Sequence, residues 1–198
     1  QNKCFANLML KEAFELNLKC VYAKVTELFT LNEIIIIAQN SLNFHLVPFL
    51  VMSIYNPDIN SVKFVWKIIE KFCNEDELRE FITELDPDGY RIDLLSLAAQ
   101  YAKTREIFEF IWTKIKIILK NEESLKELLL LCGYDGFNAL ETSARCRNEH
   151  SFKYLLENVF CEHFEFKDFI YETIYSPKNF LEFLVEYSST SIIIYFSK

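Results

Sequence analysis

Lys63-Phe64-Val65-Trp66-Lys67-Ile68-Ile69 returns as Glu109-Phe110-Ile111-Trp112-Thr113-Lys114-Ile115, an offset of 46 that lays Phe64 on Phe110 and Trp66 on Trp112. The correspondence continues at an offset of 47, where Asn74 to Leu78 meets Asn121 to Leu125 and Asp88-Gly89-Tyr90 meets Asp135-Gly136-Phe137. A match sustained over about 30 residues marks an internal repeat. Further out, Leu95 to Ala99 is followed 45 residues later by Leu140 to Ala144, and Phe49 to Tyr55 lies one period before Leu95 to Tyr101. At an offset of 86, Leu94, Leu97, Tyr101, Thr104, Ile107 and Phe110 fall on Phe180, Phe183, Tyr187, Thr190, Ile193 and Phe196. The reading is a single helical-repeat domain over 1–198, with units at about 44–88, 89–135 and 136–178 and partial units at 1–43 and 179–198.

The repeated stretch is helical in period. Val62, Val65, Trp66, Ile69 and Cys73 fall at i, i+3, i+4, i+7 and i+11, one apolar face of a helix. In the middle unit a first helix is expected over Leu94 to Ala102, and a second from an N-cap at Thr104 through Ile118. A third follows Asn74, with Glu77 completing a capping box, and its equivalent runs from Asn121 to Leu131. Asp86-Pro87-Asp88-Gly89 and Gly133-Tyr134-Asp135-Gly136 read as turns. Composition agrees: the 198 residues hold 3 Gly and 4 Pro against 19 Phe and 10 Tyr, too few turn formers for a sandwich, a barrel or a doubly wound sheet. The fold class is therefore all-α, and since two or three helices cannot cover their own apolar faces, the units are expected to stack into a solenoid.

Asp135-Gly136-Phe137-Asn138-Ala139-Leu140-Glu141-Thr142-Ser143-Ala144 resembles the opening of an ankyrin repeat, D-G-x-T-A-L-H-x-A-A, with Asn138 in place of Thr, Glu141 in place of His and Ser143 in place of the first Ala. Asp88-Gly89 through Leu95, Leu97, Ala98 and Ala99 resembles the same motif with one added residue. The units are longer than the family's by an extra short helix, a length that also suits armadillo or HEAT repeats. What the resemblance implies is a non-catalytic scaffold that binds another protein through its turn tips, here Tyr90, Arg91, Phe137 and Asn138. It adds the exposed side of its first helices, here Ser96, Gln100, Lys103, Glu141 and Arg145.

Net charge is −8, from 21 Lys and Arg against 29 Asp and Glu, and no basic stripe is present, so nucleic acid is not the expected partner. The longest apolar run, Leu46 to Tyr55, is broken by Pro48 and Ser53 and falls far short of the roughly 20 residues that span a bilayer. Cys4, Cys20, Cys73, Cys132, Cys146 and Cys161 lie mostly in apolar patterns, which points to reduced, buried thiols and an intracellular protein, cytoplasmic or nuclear.

Cys146, His150, Cys161 and His163 form the sharpest candidate for metal, but their spacing matches no common zinc pattern, and the expectation is no metal and no cofactor. Cys20 or Cys73 with His45 lacks an accompanying oxyanion-hole sequence, and Asp86-x-Asp88 lacks the Gly and Glu of a calcium loop, so no catalytic residues are assigned. Phosphate-cradling glycine motifs are absent. Trp66 and Trp112, the Ile34 to Ile37 run and the Ile192 to Phe196 run read as core.

Gln1 stands where an initiator Met would, the expectation for an excised fragment or a processed product. Ile192-Ile193-Ile194-Tyr195-Phe196 near Lys198 is expected to need cover, from further chain or from a partner, a second copy of the chain included. Three functions fit: an interaction module in a larger repeat protein, a host-directed effector or inhibitor from an intracellular microbe or virus that blocks a host protein, and an enzyme with an unrecognised site.

Overall fold

The computed structural model describes residues 50, 53–83, 93–133, 136–164 and 180–196, and no strand occurs among the described residues. The chain divides into two compact units, 1–74 and 75–198, the boundary falling between the second and third expected helices of the 44–88 repeat.

In the first unit, α1 spans Ile59–Phe72. Asp58 caps it by accepting the Asn60 N–H at 3.1 Å. Val62, Val65, Trp66 and Ile69 are all buried, as their period requires, whereas Cys73 at the C-cap is half-buried. Trp66 Nε1 donates to Glu70 Oε1 at 2.7 Å, one turn on.

The second unit holds α2 (Glu75–Thr83), α3 (Leu94–Tyr101), α4 (Arg105–Leu119), α5 (Glu122–Leu130), α6 (Ala139–Arg145) and α7 (Glu149–Leu155). A π-helical turn, Leu156–Phe160, carries α7 into α8 (Cys161–His163), and α9 (Phe180–Tyr187) and α10 (Thr190–Phe196) follow. Side-chain caps start these helices where the sequence places Asx, Ser or Thr. Thr104 accepts the Ile107 N–H at 3.4 Å at the head of α4, and Asn121 accepts the Ser124 N–H at 2.7 Å at the head of α5. Ser189 accepts the Ile192 N–H at 3.4 Å, so the cap of α10 falls one residue before the Thr190 that the 86-residue offset aligns with Thr104. Helix α4 ends at Lys120 in the left-handed region, φ 58°, with the Lys120 ammonium bonded to Glu75. The expected turn before α6 is present. Gly136 takes φ +78°, open to glycine, and its N–H donates to Gly133 O at 2.9 Å.

Trp112 sits at the eighth position of α4, as Trp66 does in α1, and both are fully buried. The core of the second unit gathers Trp112 with Phe108, Phe152, Phe160, Phe180 and Phe183. Helix α3 packs against α2, α4, α6 and α7, α6 packs also against α7 and α9, and α7 against α4 and α10. With partners on so many sides, α3 has no solvent face from Leu94 to Ala99, and α6 has none from Ala139 to Ala144. At the C-terminal end Ile192 is buried, Ile193 half-buried and Ile194 52% exposed, so the run expected as core divides across the two sides of α10.

Candidate partner-binding face

Ser96, Asn138 and Glu141 do not lie on the exposed face where the ankyrin resemblance puts them. Asn138 is 1%, Glu141 3% and Ser96 7% exposed. All three belong to helix caps. Asn138 Oδ1 accepts the Glu141 N–H and Glu141 Oε2 accepts the Asn138 N–H, each at 3.0 Å, a reciprocal capping box. Ser96 donates its hydroxyl to Asp93 Oδ2 at 2.6 Å and its N–H to Asp93 Oδ1 at 2.7 Å. The physical reason is that α3 and α6 are enclosed from their first turn, so their N-terminal donors must be satisfied by side chains rather than by water. The N-x-x-E spacing of Asn138 and Glu141 is a readable signal for this, and Asp93 with Ser96 repeats the arrangement 45 residues earlier.

Asp93 is buried with its carboxyl in that cap, and burial pushes its pKa up to about 6 against the opposing pull of the Ser96 bonds.

The remaining residues expected on the face emerge where α3 and α6 end. Gln100 is half-buried in the last turn of α3, and Arg145, 45 residues on, closes α6 in the same half-buried state; Lys103 is exposed just beyond α3. Phe137 is half-buried, and the Arg145 guanidinium carbon lies 4.7 Å from its ring centroid. The Phe137 ring meets Phe183 at 5.3 Å and Tyr187 at 6.3 Å, so this turn residue also packs α6 onto α9. Tyr187, 37% exposed, joins the cluster without having been singled out in the sequence. Its signal was present in the 86-residue offset, which aligns it with Tyr101. Tyr90 and Arg91 lie outside the described residues, as do Cys4, Cys20, His45 and the Ile34 to Ile37 run.

Cys146, His150, Cys161 and His163 are not brought together, and among the described residues no group of three or more His, Cys, Asp or Glu side chains is placed to hold a metal ion. His150 is exposed. The side chain of His163 is 7% exposed, with Nδ1 2.6 Å from Glu122 Oε1 and its ring edge-on to Trp112 at 5.9 Å. The His163 bond holds the Glu122 carboxyl below the usual range. Trp112 Nε1 and His163 Nε2 are buried without a hydrogen-bond partner among the described residues. Where Trp66 has Glu70 one turn on, Trp112 has Lys116, whose ammonium lies 5.8 Å from the ring centroid.

The described cysteines correct the expectation of buried thiols: Cys73, Cys132 and Cys146 are half-buried and Cys161 is exposed. Each sits at or beside a helix end, where the apolar pattern that suggested burial runs out. Native protein treated briefly with iodoacetamide should therefore be alkylated at Cys161 ahead of the other three, as read by peptide mass mapping. Equal modification at all four would contradict this exposure.

In comparison with known proteins, the chain matches no family model, no curated protein and no solved structure.

Proposed function

We propose that the chain is a non-catalytic protein-interaction module, a helical-repeat solenoid that binds a partner protein along the edge where its first helices end. Gln100, Lys103, Arg145 and Tyr187 are the residues offered to the partner.

The observation that carries this reading is the stepwise stacking of like helices in residues 93–196. First helices α3, α6 and α9 pack in succession, and so do the second helices α4, α7 and α10. The caps that open the second helices, Asp58, Thr104, Asn148 and Ser189, follow one another at intervals of 46, 44 and 41 residues. Stacking of this kind turns one residue per unit into a row, and rows are what repeat proteins present to partners. Arginine stacked on aromatic rings beside an exposed tyrosine is the side-chain chemistry enriched where binding energy concentrates. The carboxyls of Asp93 and Glu141, the Asn138 amide oxygen and the Ser151 N–H are engaged in helix caps, which supports binding over catalysis. Cys73, Cys132, Cys146 and Cys161 stand outside any disulfide, which suits a reducing, intracellular setting.

A benzophenone side chain introduced at Tyr187 or Gln100, in the cells that make the protein, should give a discrete protein adduct on illumination. The same group at the exposed Glu123 of α5 should not. Absence of adducts at Tyr187 and Gln100, or an identical adduct pattern at Glu123, would count against the reading.

A further inference from the structure

Trp66 and Trp112 occupy the same position of their helices, yet their indole N–H groups are treated differently. Trp66 Nε1 donates to Glu70 Oε1 at 2.7 Å. The 46-residue offset that lays Trp66 on Trp112 lays Glu70 on Lys116, so the later tryptophan has an ammonium one turn on where the earlier one has a carboxylate. Trp112 is fully buried, and its Nε1 has no hydrogen-bond partner among the described residues. An indole N–H buried without an acceptor is costly, and a chain that supplies the acceptor at Trp66 has the means to supply it here.

A second unpartnered nitrogen lies beside it. The His163 side chain is 7% exposed, its ring stands edge-on to Trp112 at 5.9 Å between centroids, and its Nε2 is buried without a partner among the described residues. Nδ1 is taken, at 2.6 Å from Glu122 Oε1. When the imidazole carries both protons it presents an N–H at Nε2, and Glu122 balances the charge through the other nitrogen. Lys116 Nζ lies 5.8 Å from the Trp112 ring centroid. Lys116 is exposed, and its neighbours one turn away on α4, Trp112, Thr113, Leu119 and Lys120, include no acid. The π-helical turn Leu156–Phe160 comes just before His163, an irregularity of a kind that recurs at functional sites.

We propose that Trp112 Nε1, Lys116 Nζ and His163 Nε2 form a binding site for one carboxylate group, which does for Trp112 what Glu70 does for Trp66. A carboxylate brings two acceptor oxygens, enough to serve the indole N–H and a cation together. The indole is closed over in this structure, so entry displaces the flexible Lys116 stem and the three-residue α8. A free small acid and the C-terminus of a peptide share this chemistry, and the test separates them. The site is independent of the partner-binding edge, since Gln100, Lys103, Arg145 and Tyr187 take no part in it.

The test uses the isotopically labelled full chain and sodium acetate, read by the two indole N–H signals in a nitrogen–proton correlation spectrum. The Trp112 signal is expected to move and to saturate at about 1–100 mM acetate, a range that suits so small a ligand. The Trp66 signal should stay in place, because that N–H is already bonded. Sodium chloride at equal ionic strength should move neither. Lys116→Glu, at an exposed position, supplies the acceptor from within α4; it should shift the Trp112 signal without acetate and weaken the acetate response at least about tenfold. No movement up to about 100 mM, equal movement in chloride, or an undiminished response in Lys116→Glu would each overturn the proposal. N-acetyl-diglycine and its C-terminal amide distinguish the sources. Tighter binding of the acid than of acetate assigns a peptide C-terminus, equal binding assigns a free small acid, and an equal shift with the amide overturns the site.

Discussion

Trp112→Ala is expected to lower the unfolding free energy of the second compact unit by about 3–5 kcal/mol, the largest effect of any single substitution considered. Trp112 is fully buried in the middle of α4, and its removal empties the volume beside α8 where the His163 ring stands edge-on to it. Helix α4 is packed against α2, α3 and α7, so the surrounding helices can close over the cavity only in part. Ile117→Ala on the same helix, 58% exposed, should stay within about 0.5 kcal/mol. Urea melts monitored by far-UV circular dichroism distinguish the two. Equal midpoints for the two variants would show that Trp112 is not a core residue, and with that the equivalence to Trp66 would lose its meaning.

The second large effect is a dependence of stability on pH carried by Asp93. Its carboxyl keeps a proton up to about pH 6 in the native state, whereas the unfolded chain releases it near 3.8, the ordinary aspartate value. Between those two values the native state binds more protons than the unfolded one, so stability falls as pH rises through the window and levels off above it. A displacement of that size corresponds to about 3 kcal/mol. Asp93→Asn should remove the slope, because an amide cannot ionise and Asn already serves as the cap at the equivalent position, Asn138. Asp93→Ala removes the slope too, but it strands the Ser96 N–H and costs about 1–2 kcal/mol at low pH. Glu75 and Glu122, whose pKa values are lowered by Lys120 and His163, impose the opposite slope, with stability lost as pH falls. They are present in every variant, so the difference between wild type and Asp93→Asn isolates Asp93. Parallel stability curves for those two proteins between pH 4 and pH 7 would refute the assignment.

Much of the helical framework can be read from residue order alone. The 3.6-residue period of Val62, Val65, Trp66 and Ile69 marks an amphipathic helix with a buried face, and the structure buries all four. Thr104 and Asn121 announce their helices because a short polar side chain before an apolar run has one economical use, accepting an orphan N–H. The candidate face was legible only in part. Periodicity tells which side of a helix is apolar, but α3 and α6 are surrounded and bury even Ser96, Glu141, Thr142 and Ser143, so position on the wheel says nothing about exposure there. The ankyrin resemblance alone puts Ser96 and Glu141 at the surface, although Asp93-x-x-Ser96 and Asn138-x-x-Glu141 are capping patterns.

What was not legible at all depends on contacts between distant residues. The Asn148 bond to Ala102 joins positions 46 apart, and the placing of Phe137 against Phe183 and Tyr187 depends on how α9 meets α6. Neither follows from any local pattern. The burial of the His163 side chain beside Trp112 is of the same kind, since a histidine three residues beyond a π-helical turn carries no local mark of where the chain will put it.

The packing of α3 on α6 and of α4 on α7 is tested most directly by the separation of Lys103 and Arg147. With the native cysteines replaced, nitroxide labels carried on Lys103→Cys and Arg147→Cys should show strong dipolar broadening in frozen solution, a separation within about 20 Å, because neighbouring packed helices lie roughly 8–10 Å apart and the labels add only their own reach. Unbroadened spectra in a folded protein, with a pulsed measurement placing the labels beyond about 30 Å, would contradict the stacking of α3 on α6 and α4 on α7 and remove the surface on which the proposed function depends.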